Sequence, residues 1–309
     1  MILTVTLNPA MDKTVVINNF QLGSVNRVSN IRYDIGGKGI NVSKVLKNFK
    51  VDSICTGFLG GIWEKNFIEE LNKRGIETQF VKIDGNTRTN TKIVDKVNEI
   101  YTDVNEAGPN INKEMLEGFI DEFKQMCNDG DIVVLSGGVS PNIPKNIYAK
   151  LIEIAKEKGA LTILDADGEL LKEGIKSKPD IIKPNNHELM KLLNLKNDSE
   201  EELIRAGKKL NDEGIEVLIS LGEKGALYIT KKGVYSAEGI KVDVKSTVGA
   251  GDSMVAAIIY SIVNNYSNEE TLKFAVACGT SSVTLEGTEA CNLEDVNKIF
   301  DMIKVVNKK

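Results

Sequence analysis

An α/β fold, built on a mostly parallel sheet with helices on both faces and carrying a small second β-sheet, is what this sequence predicts. Two observations carry the main sheet. Apolar runs of strand length alternate with helical stripes along most of the chain, and glycines recur where those strands give way to helices. A third observation carries the small sheet. Residues 13–34 and 87–104 break the alternation, are polar and rich in β-branched residues, and show a period of two in TVVIN, RVSNIRY, TNTKIVD and EIYTDVN.

In order, ILTVTL (2–7) reads as a buried strand, GINVSKVLKNF (39–49) as a helix and SICTGFL (53–59) as a strand. The next helix sets Trp63, Phe67, Ile68 and Leu71 on one face, before the strand FVKI (80–83). Leu116, Phe119, Ile120, Phe123 and Met126 make another helical stripe ahead of DIVVLSG (131–137). A helix near 144–158, the strands ALTILDA (160–166) and DIIKPN (180–185), a helix near 199–213 and the strand EVLISLG (216–222) follow. Helices near 250–264, 269–286 and 293–306 complete the chain. The division expected is a main body of residues 1–12, 35–86 and 105–309, with 13–34 and 87–104 as a small β lid; a plain pair of surface hairpins is the alternative.

The chain has 309 residues, 41% hydrophobic and 27% charged, enough for one large core and ordinary for a soluble domain. The net charge of −5 argues against a nucleic-acid or membrane-surface partner. Cys55, Cys127, Cys278 and Cys291 are far apart and form no C-x-x-C pair, and the chain has one histidine, His187. A zinc site and a disulfide framework are therefore not expected, and the thiols read as reduced core residues of a cytoplasmic protein. The N-terminal stretch is too short and too soon polar for a signal peptide, and no run of 18 apolar residues spans a membrane.

Neither common nucleotide fingerprint is present. No G-x-x-x-x-G-K-[ST] occurs, and the first strand ends in LNPAMD rather than G-x-G-x-x-G. Glycines instead mark several junctions: Gly36, Gly37 and Gly39; Gly57, Gly60 and Gly61; Gly137 and Gly138; Gly222 and Gly225; Gly249 and Gly251. In an open α/β sheet these share one edge, where ligands bind. Asn8, Asp12, Lys38, Asn41, Arg88, Asp165, Asn185 and Glu188 fall at that edge, as a site for a sugar, a phosphate and a metal-bound nucleotide requires. STVGAGDSM (246–254) poses a question there. A glycine turn into a helix offers N–H groups to an anion, yet Asp252 sits among them, either as a helix cap or as a group that does chemistry beside a phosphate.

STVGAGDSM resembles the C-terminal signature of the phosphofructokinase B family of ribokinase-like sugar kinases. LNPAMD, GGKGINVSKVL, TRTNTK, KPNNHE and SLGEKGA resemble the family's other motifs in order, over essentially the whole chain. Within the family, LNPAMDKTV, GGKGINVSKVL, R-x-N-x-K (88–92) and TDVNEAGP (102–109) look most like bacterial 1-phosphofructokinases; tagatose-6-phosphate kinases and minor 6-phosphofructokinases share most of them. The resemblance implies a ribokinase-like fold and transfer of the γ-phosphoryl of ATP, with Mg2+, to a ketose monophosphate, D-fructose 1-phosphate first. A sugar-phosphate sensor without catalysis and a nucleoside kinase are the rival readings. The intact GAGD and N-x-x-E elements argue against the first, and the pair Lys38 and Arg88 against the second.

Residue by residue, the resemblance implies Asp252 as general base, with the amides of Gly249, Ala250 and Gly251 on the transferring phosphoryl group. Lys38, Arg88 and Arg27 are implied for the substrate's own phosphate, and Asp12, Gly36, Gly37, Asn41 and Asn90 for the sugar. Asn185 and Glu188 are implied to hold Mg2+ partly through water; a helix cap with a first-turn glutamate is the alternative. Ser220, Gly222, Gly225 and Thr247 are implied at the triphosphate, and Gly279 and Ser282 near adenine. Two departures stand out: Gly138 in LSGGVSP occupies the place of a serine common in relatives, and Asp165-Ala-Asp-Gly168 replaces D-x-S-G. A homodimer through the lid is also expected.

Overall fold

Five consecutive buried residues, Ile2–Thr6, form the first strand, β1. That is the pattern of a strand covered on both faces. The computed structural model describes residues 1–308. After β1 the chain leaves the main body in β2 (Ala10–Ile17) and β3 (Val28–Gly36), and returns through α1 (Lys38–Asn48), β4 (Ile54–Gly60), α2 (Glu64–Lys73) and β5 (Glu77–Ile83). A second excursion forms β6 (Arg88–Asp95) and β7 (Ile100–Asn105). Next come α3 (Lys113–Met126), β8 (Ile132–Ser136), α4 (Ile147–Glu157), β9 (Leu161–Asp165), α5 (Gly168–Gly174), β10 (Ile181–Ile182), α6 (Asn186–Leu193), α7 (Glu200–Asp212) and β11 (Glu216–Ser220). The chain ends with β12 (Ala226–Thr230), β13 (Gly233–Ala237), α8 (Ala250–Val263), α9 (Asn268–Val283), α10 (Leu293–Phe300) and β14 (Val305–Lys308).

The main sheet is 10-stranded, in the order β14-β13-β12-β11-β10-β9-β8-β1-β4-β5. From β11 to β5 every neighbouring pair is parallel; β12, β13 and β14 add an antiparallel edge. Helices α3 to α7 pack on one face around Leu3, Val5, Phe119, Tyr148 and Leu203. Helices α1, α8, α9 and α10 pack on the other around Val42, Leu46, Ile258 and Phe274. Helix α8 is apolar nearly all round because α1, α9 and the sheet enclose it.

The small sheet has the order β3-β2-β6-β7. Its strands run beyond the expected ends, so Asp12 and Gly36 are strand residues of this sheet. Asp12 pairs with Asp34 on one side and Asn90 on the other. A cluster of Met11 and Ile35 with Ile40, Phe67 and Leu71 seats the sheet on the main body.

Two stretches depart from the sequence reading. The helix expected over 293–306 stops at Phe300, and Val305–Lys308 pairs antiparallel with β13. The β-branched Val305 and Val306 lose little as strand, and the pairing satisfies backbone groups at the sheet edge. The β12–β13 hairpin had no counterpart in the expected order of elements.

Candidate active site

A cleft of about 510 Å³ lies where the carboxyl ends of the parallel strands face the small sheet. Thr6, Ser136, Asp165, Lys183 and Ser220 reach it from the ends of β1, β8, β9, β10 and β11. Asp12, Asp34, Arg88, Asn90, Lys92, Asp103 and Asn105 close it from β2, β3, β6 and β7. This is the crevice that an open α/β sheet provides for ligands.

Helix α8 begins at this cleft. Its N-cap, Gly249, has φ 83°, a left-handed conformation open to glycine at no steric cost, and no side chain caps the first-turn amides. The helix end is thus an array of unsatisfied N–H donors facing the cavity. Asp252 is in the first turn but does not cap it. Its Oδ2 accepts instead from Asn41 Nδ2 at 2.8 Å, so the helix-cap reading of its position does not hold. Asp252 is 5% exposed. Burial pushes its carboxyl up to about 6, helped by the Asp165 carboxylate and opposed by Lys38, the Asn41 hydrogen bond and Lys183. A carboxyl with that value is ionised at neutral pH and can accept a proton.

Asp165 is almost fully buried between two ammonium groups, with Lys38 Nζ at 3.2 Å and Lys183 Nζ at 3.4 Å from its Oδ1. Burial alone would raise its carboxyl, but Lys183 and Lys38 outweigh burial and hold it below the ordinary aspartate value. Lys38 is raised in turn: burial opposes its charge, and Asp165, Asp252 and Glu188 together win. Lys183 is 5% exposed. A Cβ built on Gly251 would lie 3.1 Å from its Nζ, so this ammonium stands against the amides of α8. Two cations and a row of amides therefore converge beside the Asp252 carboxyl.

Asn185 and Glu188 line the same cleft and form a capping box at the start of α6. Asn185 Oδ1 accepts from the Glu188 N–H at 2.8 Å, and Glu188 Oε2 accepts from the Asn185 N–H at 2.8 Å. Glu188 Oε1 stays outside the box, and the buried Asp165 Oδ2 has no hydrogen-bond partner. Among the described residues no group of three or more His, Cys, Asp or Glu could hold a metal by itself.

The opposite end of the cleft belongs to the small sheet. Asn90 Nδ2 donates to Asp12 Oδ1 at 3.1 Å. Burial raises the Asp12 carboxyl, opposed by the Asn90 hydrogen bond, Lys44 and Arg88, while Asp34 adds to the rise. Arg88 donates from Nε and Nη2 to the Asn8 carbonyl and from Nη1 to that of Glu106, and so keeps further N–H donors for a ligand. Lys92 points to the same cleft, 3.8 Å from Asp103.

Several sequence expectations are redistributed. Lys38 and Arg88, expected together on one phosphate, answer to different carboxylates: Lys38 to Asp165 and Asp252, Arg88 to Asp12 and Glu106. Arg27 precedes β3, is exposed and is not part of the cleft wall. Gly36 lies behind Asp12, where a Cβ would come within 2.1 Å of Asp12 Oδ2. Gly37, Asn41, Asn90, Asn185, Ser220, Gly249 and Gly251 line the cleft; Ala250, Gly222, Gly225, Thr247, Gly279 and Ser282 do not. Gly225 has a packing reason of its own, since a Cβ there would meet Ala237 O at 2.0 Å. At Gly279 the neighbour is Met254 of α8, at 3.2 Å. Gly138 borders the cleft with open space where a Cβ would be, room enough for the serine common in relatives.

Sequence reasoning missed Lys183 as a site residue, although it heads the KPNNHE motif. The available signal was a lysine closing an apolar strand, IIK, at the binding edge. Asp165 closes TILD in the same way. Lys92 lies in R-x-N-x-K (88–92) and Asp103 and Asn105 in TDVNEAGP (102–109), but only strand pairing brings them to one wall with Asp34, which had no signal of its own.

Comparison with known proteins agrees with this architecture. The chain is 38% identical over 308 residues to the 1-phosphofructokinase of Bacillus subtilis, covering 99% of both chains. It is 36% identical over 310 residues to a tagatose-6-phosphate kinase of Staphylococcus epidermidis, again over 99% of both. The crystal structure of phosphofructokinase-2 from Escherichia coli in complex with fructose-6-phosphate superposes with a TM-score of 0.91 at 25% identity, covering 97% of this chain and 98% of that one. The family described as pfkB family carbohydrate kinase matches residues 5–295. That span takes in both excursions of the small sheet, the buried lysine–aspartate cluster and the amide-lined start of α8, and with it this chain belongs to the pfkB family of carbohydrate kinases, as a phosphotransferase enzyme.

Proposed function

We propose that the protein transfers the γ-phosphoryl group of ATP to a ketose monophosphate, with D-fructose 1-phosphate as the preferred acceptor and fructose 1,6-bisphosphate as product. One observation carries the proposal: a buried, ionised Asp252 stands beside uncapped helix amides and two ammonium groups, in one cleft with a separate cationic and carboxylate surface on the small sheet. The identity to a 1-phosphofructokinase supports the acceptor.

In this mechanism the sugar lies over the small sheet, with hydroxyls on Asp12 and Asn90. Its own phosphate meets Arg88, and Lys92, on the same strand and the same cleft wall, is a further cation. The free hydroxyl faces Asp252. Asp252 takes the hydroxyl proton as that oxygen bonds to the γ-phosphorus, and the bond from phosphorus to the β,γ-bridging oxygen breaks to release ADP. Amides at Gly249 and Gly251, with Lys183 and Lys38, balance the charge on the transferring group. Asp165 holds both lysines in place. Glu188 Oε1 and the unpartnered Asp165 Oδ2 fit the acceptor chemistry of a magnesium ion that keeps most of its waters. Such an ion would be held by Glu188 and Asn185 through water and would neutralise nucleotide phosphate charge. Ser220 ends β11 and Gly222 follows it at the same edge, where a triphosphate would extend, with Gly225 and Thr247 farther along its path and Gly279 and Ser282 toward the adenine. The small sheet acts as a lid that excludes water from the transfer.

The test is ADP release from Mg-ATP with fructose 1-phosphate, tagatose 6-phosphate and fructose 6-phosphate at equal low concentration. Fructose 1-phosphate is expected to lead. A lead for tagatose 6-phosphate would move the substrate assignment to that sugar, and no turnover on any sugar phosphate would end the proposal. Arg88→Ala should raise KM for the sugar phosphate roughly tenfold to a hundredfold, the loss of a charge-assisted hydrogen-bond set, with KM for ATP little changed.

The outward face of the small sheet leaves Ile31, Tyr33, Ile100 and Val104 about half exposed. Such a face on strands that could pair with a second copy supports a homodimer through the lid. Sedimentation should give twice the 33.8 kDa chain mass; a single-chain mass at micromolar concentration counts against it.

A further inference from the structure

Lys44 is a cation in an unusual place. It lies on α1, is 5% exposed, and forms no ion pair within 4 Å among the described residues. It is not part of the cleft wall, so it does not reach substrate. Its ammonium donates to the Ile35 carbonyl at the end of β3 and to Asn41 Oδ1 at 3.4 Å, one helical turn earlier. Asn41 in turn donates its Nδ2 to Asp252 Oδ2.

We propose that Lys44 is a positioning residue that sets the polarity of the Asn41 amide, so that a donor and not an acceptor faces the carboxylate of Asp252. The reason is the inventory of hydrogen-bonding groups. An asparagine amide is nearly symmetric in shape, and its neighbours decide which pole points where. An ammonium has donors only, so it accepts the oxygen pole and rejects the NH2 pole. With the oxygen on Lys44, the NH2 must turn to Asp252, where it stabilises the ionised form. An asparagine reversed at this point would present oxygen to Asp252 and favour the protonated acid, which cannot act as a base. Burying a lysine is costly, and this cluster gives it a reason beyond tying β3 to α1.

The charged surroundings are few. Around Lys44, burial and Arg74 oppose its charge, and burial brings it down to about 8; Asp34, Asp12 and Cys55 favour the charge. Around Asp252 stand Asp165, Lys38 and Lys183. A titration between pH 4 and about 7 therefore leaves most of Lys44 protonated.

The inference rests on Asp252 as the base of the proposed reaction, but its test does not depend on turnover. The carboxyl of Asp252 is titrated by carbon-13 NMR in the full chain, its signal identified by its loss in Asp252→Asn. Lys44→Met should raise the Asp252 midpoint by about one pH unit and move the acid limb of kcat/KM the same way. Lys44→Arg should restore both. In an Asn41→Ala background, Lys44→Met should move the midpoint no further. Where Met does not fold, Lys44→Gln keeps a donor for Ile35 while offering Asn41 either pole, and it too should raise the midpoint. A folded Lys44→Met or Lys44→Gln protein with an unmoved midpoint would overturn the proposal. So would a double variant whose midpoint lies beyond that of Asn41→Ala, because Lys44 would then act on Asp252 directly. A chain inactive on every sugar phosphate would sink the proposed function and leave the titration readable.

Discussion

Asp252→Asn is expected to lower the phosphoryl-transfer rate by about 10²–10⁴-fold, the usual contribution of a positioned general base, and to leave the folded protein at least as stable. Asparagine keeps an oxygen for the Asn41 Nδ2 donor and removes the charge. The wild-type carboxyl is pushed up to about 6 from 3.8 by burial first and Asp165 second. A folded-state value above the unfolded one means that the folded protein binds this proton more tightly. The ionised form therefore costs stability, beginning as pH rises past about 4 and complete above about 6. Removing the charge recovers at most about 3 kcal/mol at pH 7, since each tenfold change in proton affinity is worth about 1.4 kcal/mol. For wild type, kcat/KM should fall as pH drops through about 6, where the base takes up its proton. Urea unfolding and steady-state kinetics on the same preparation check both parts. A variant that retains a tenth of the wild-type rate would remove Asp252 from the base role, and a large loss of stability would show that its carboxylate is structural.

Asp165→Asn should give the largest loss of stability of any single change in the site. It leaves Lys183, 5% exposed, without an ion-pair partner within 4 Å, and takes from Lys38 its ion-pair carboxylate. Breaking a buried ion pair from one side costs about 3–5 kcal/mol, because the remaining charge stays desolvated. Lys38 is more than a third exposed, so the greater part of that loss comes from Lys183. The pH dependence has the opposite sign to that of Asp252. The Asp165 carboxyl lies below its ordinary value, since Lys183 and Lys38 outweigh burial. Its contribution is therefore present above about pH 4 and lost as pH falls through the depressed folded value. Wild type should lose this part of its stability only in acid, while the variant lacks it at every pH. Denaturant midpoints at pH 7 and at successively lower pH down to about 2 measure the difference. A loss below about 1 kcal/mol at pH 7 would mean that water reaches these lysines and that Asp165 does not anchor them.

Much of the site was legible because its residues belong to local motifs. Asp252, Gly249 and Gly251 stand within one turn of each other, and Gly37, Lys38 and Asn41 open one helix. The alternation of strands and helices predicted the parallel sheet, since burial on both faces demands near-continuous apolar runs. The period of two in two distant segments likewise predicted a small second sheet. The antiparallel edge was harder to read. Val305–Lys308 follows directly on a helical pattern, and only the open edge of β13 makes it a strand.

Chain order alone, through periodicity and glycine placement, was enough to specify the fold class and to mark the strand ends and the start of α8 as the place to look for a site, while the candidate role of Asp252 came from the resemblance of its motif. Those features depend on neighbours in sequence and on the burial that each pattern requires. The partners of each charge were decided elsewhere. Lys38 meets Asp165, 127 positions away, and Asn41 meets Asp252, 211 positions away. Arg27, near in sequence to the strands of the small sheet, stays outside the cleft, while Lys183 enters it from the end of β10. The strength of a charge depends on distance and on access to water, and both are properties of the packed molecule. A sequence can name an aspartate as a candidate base; the burial, the Asn41 donor and the two lysines that tune it exist only once the fold has brought α8, α1 and the end of β10 to one edge.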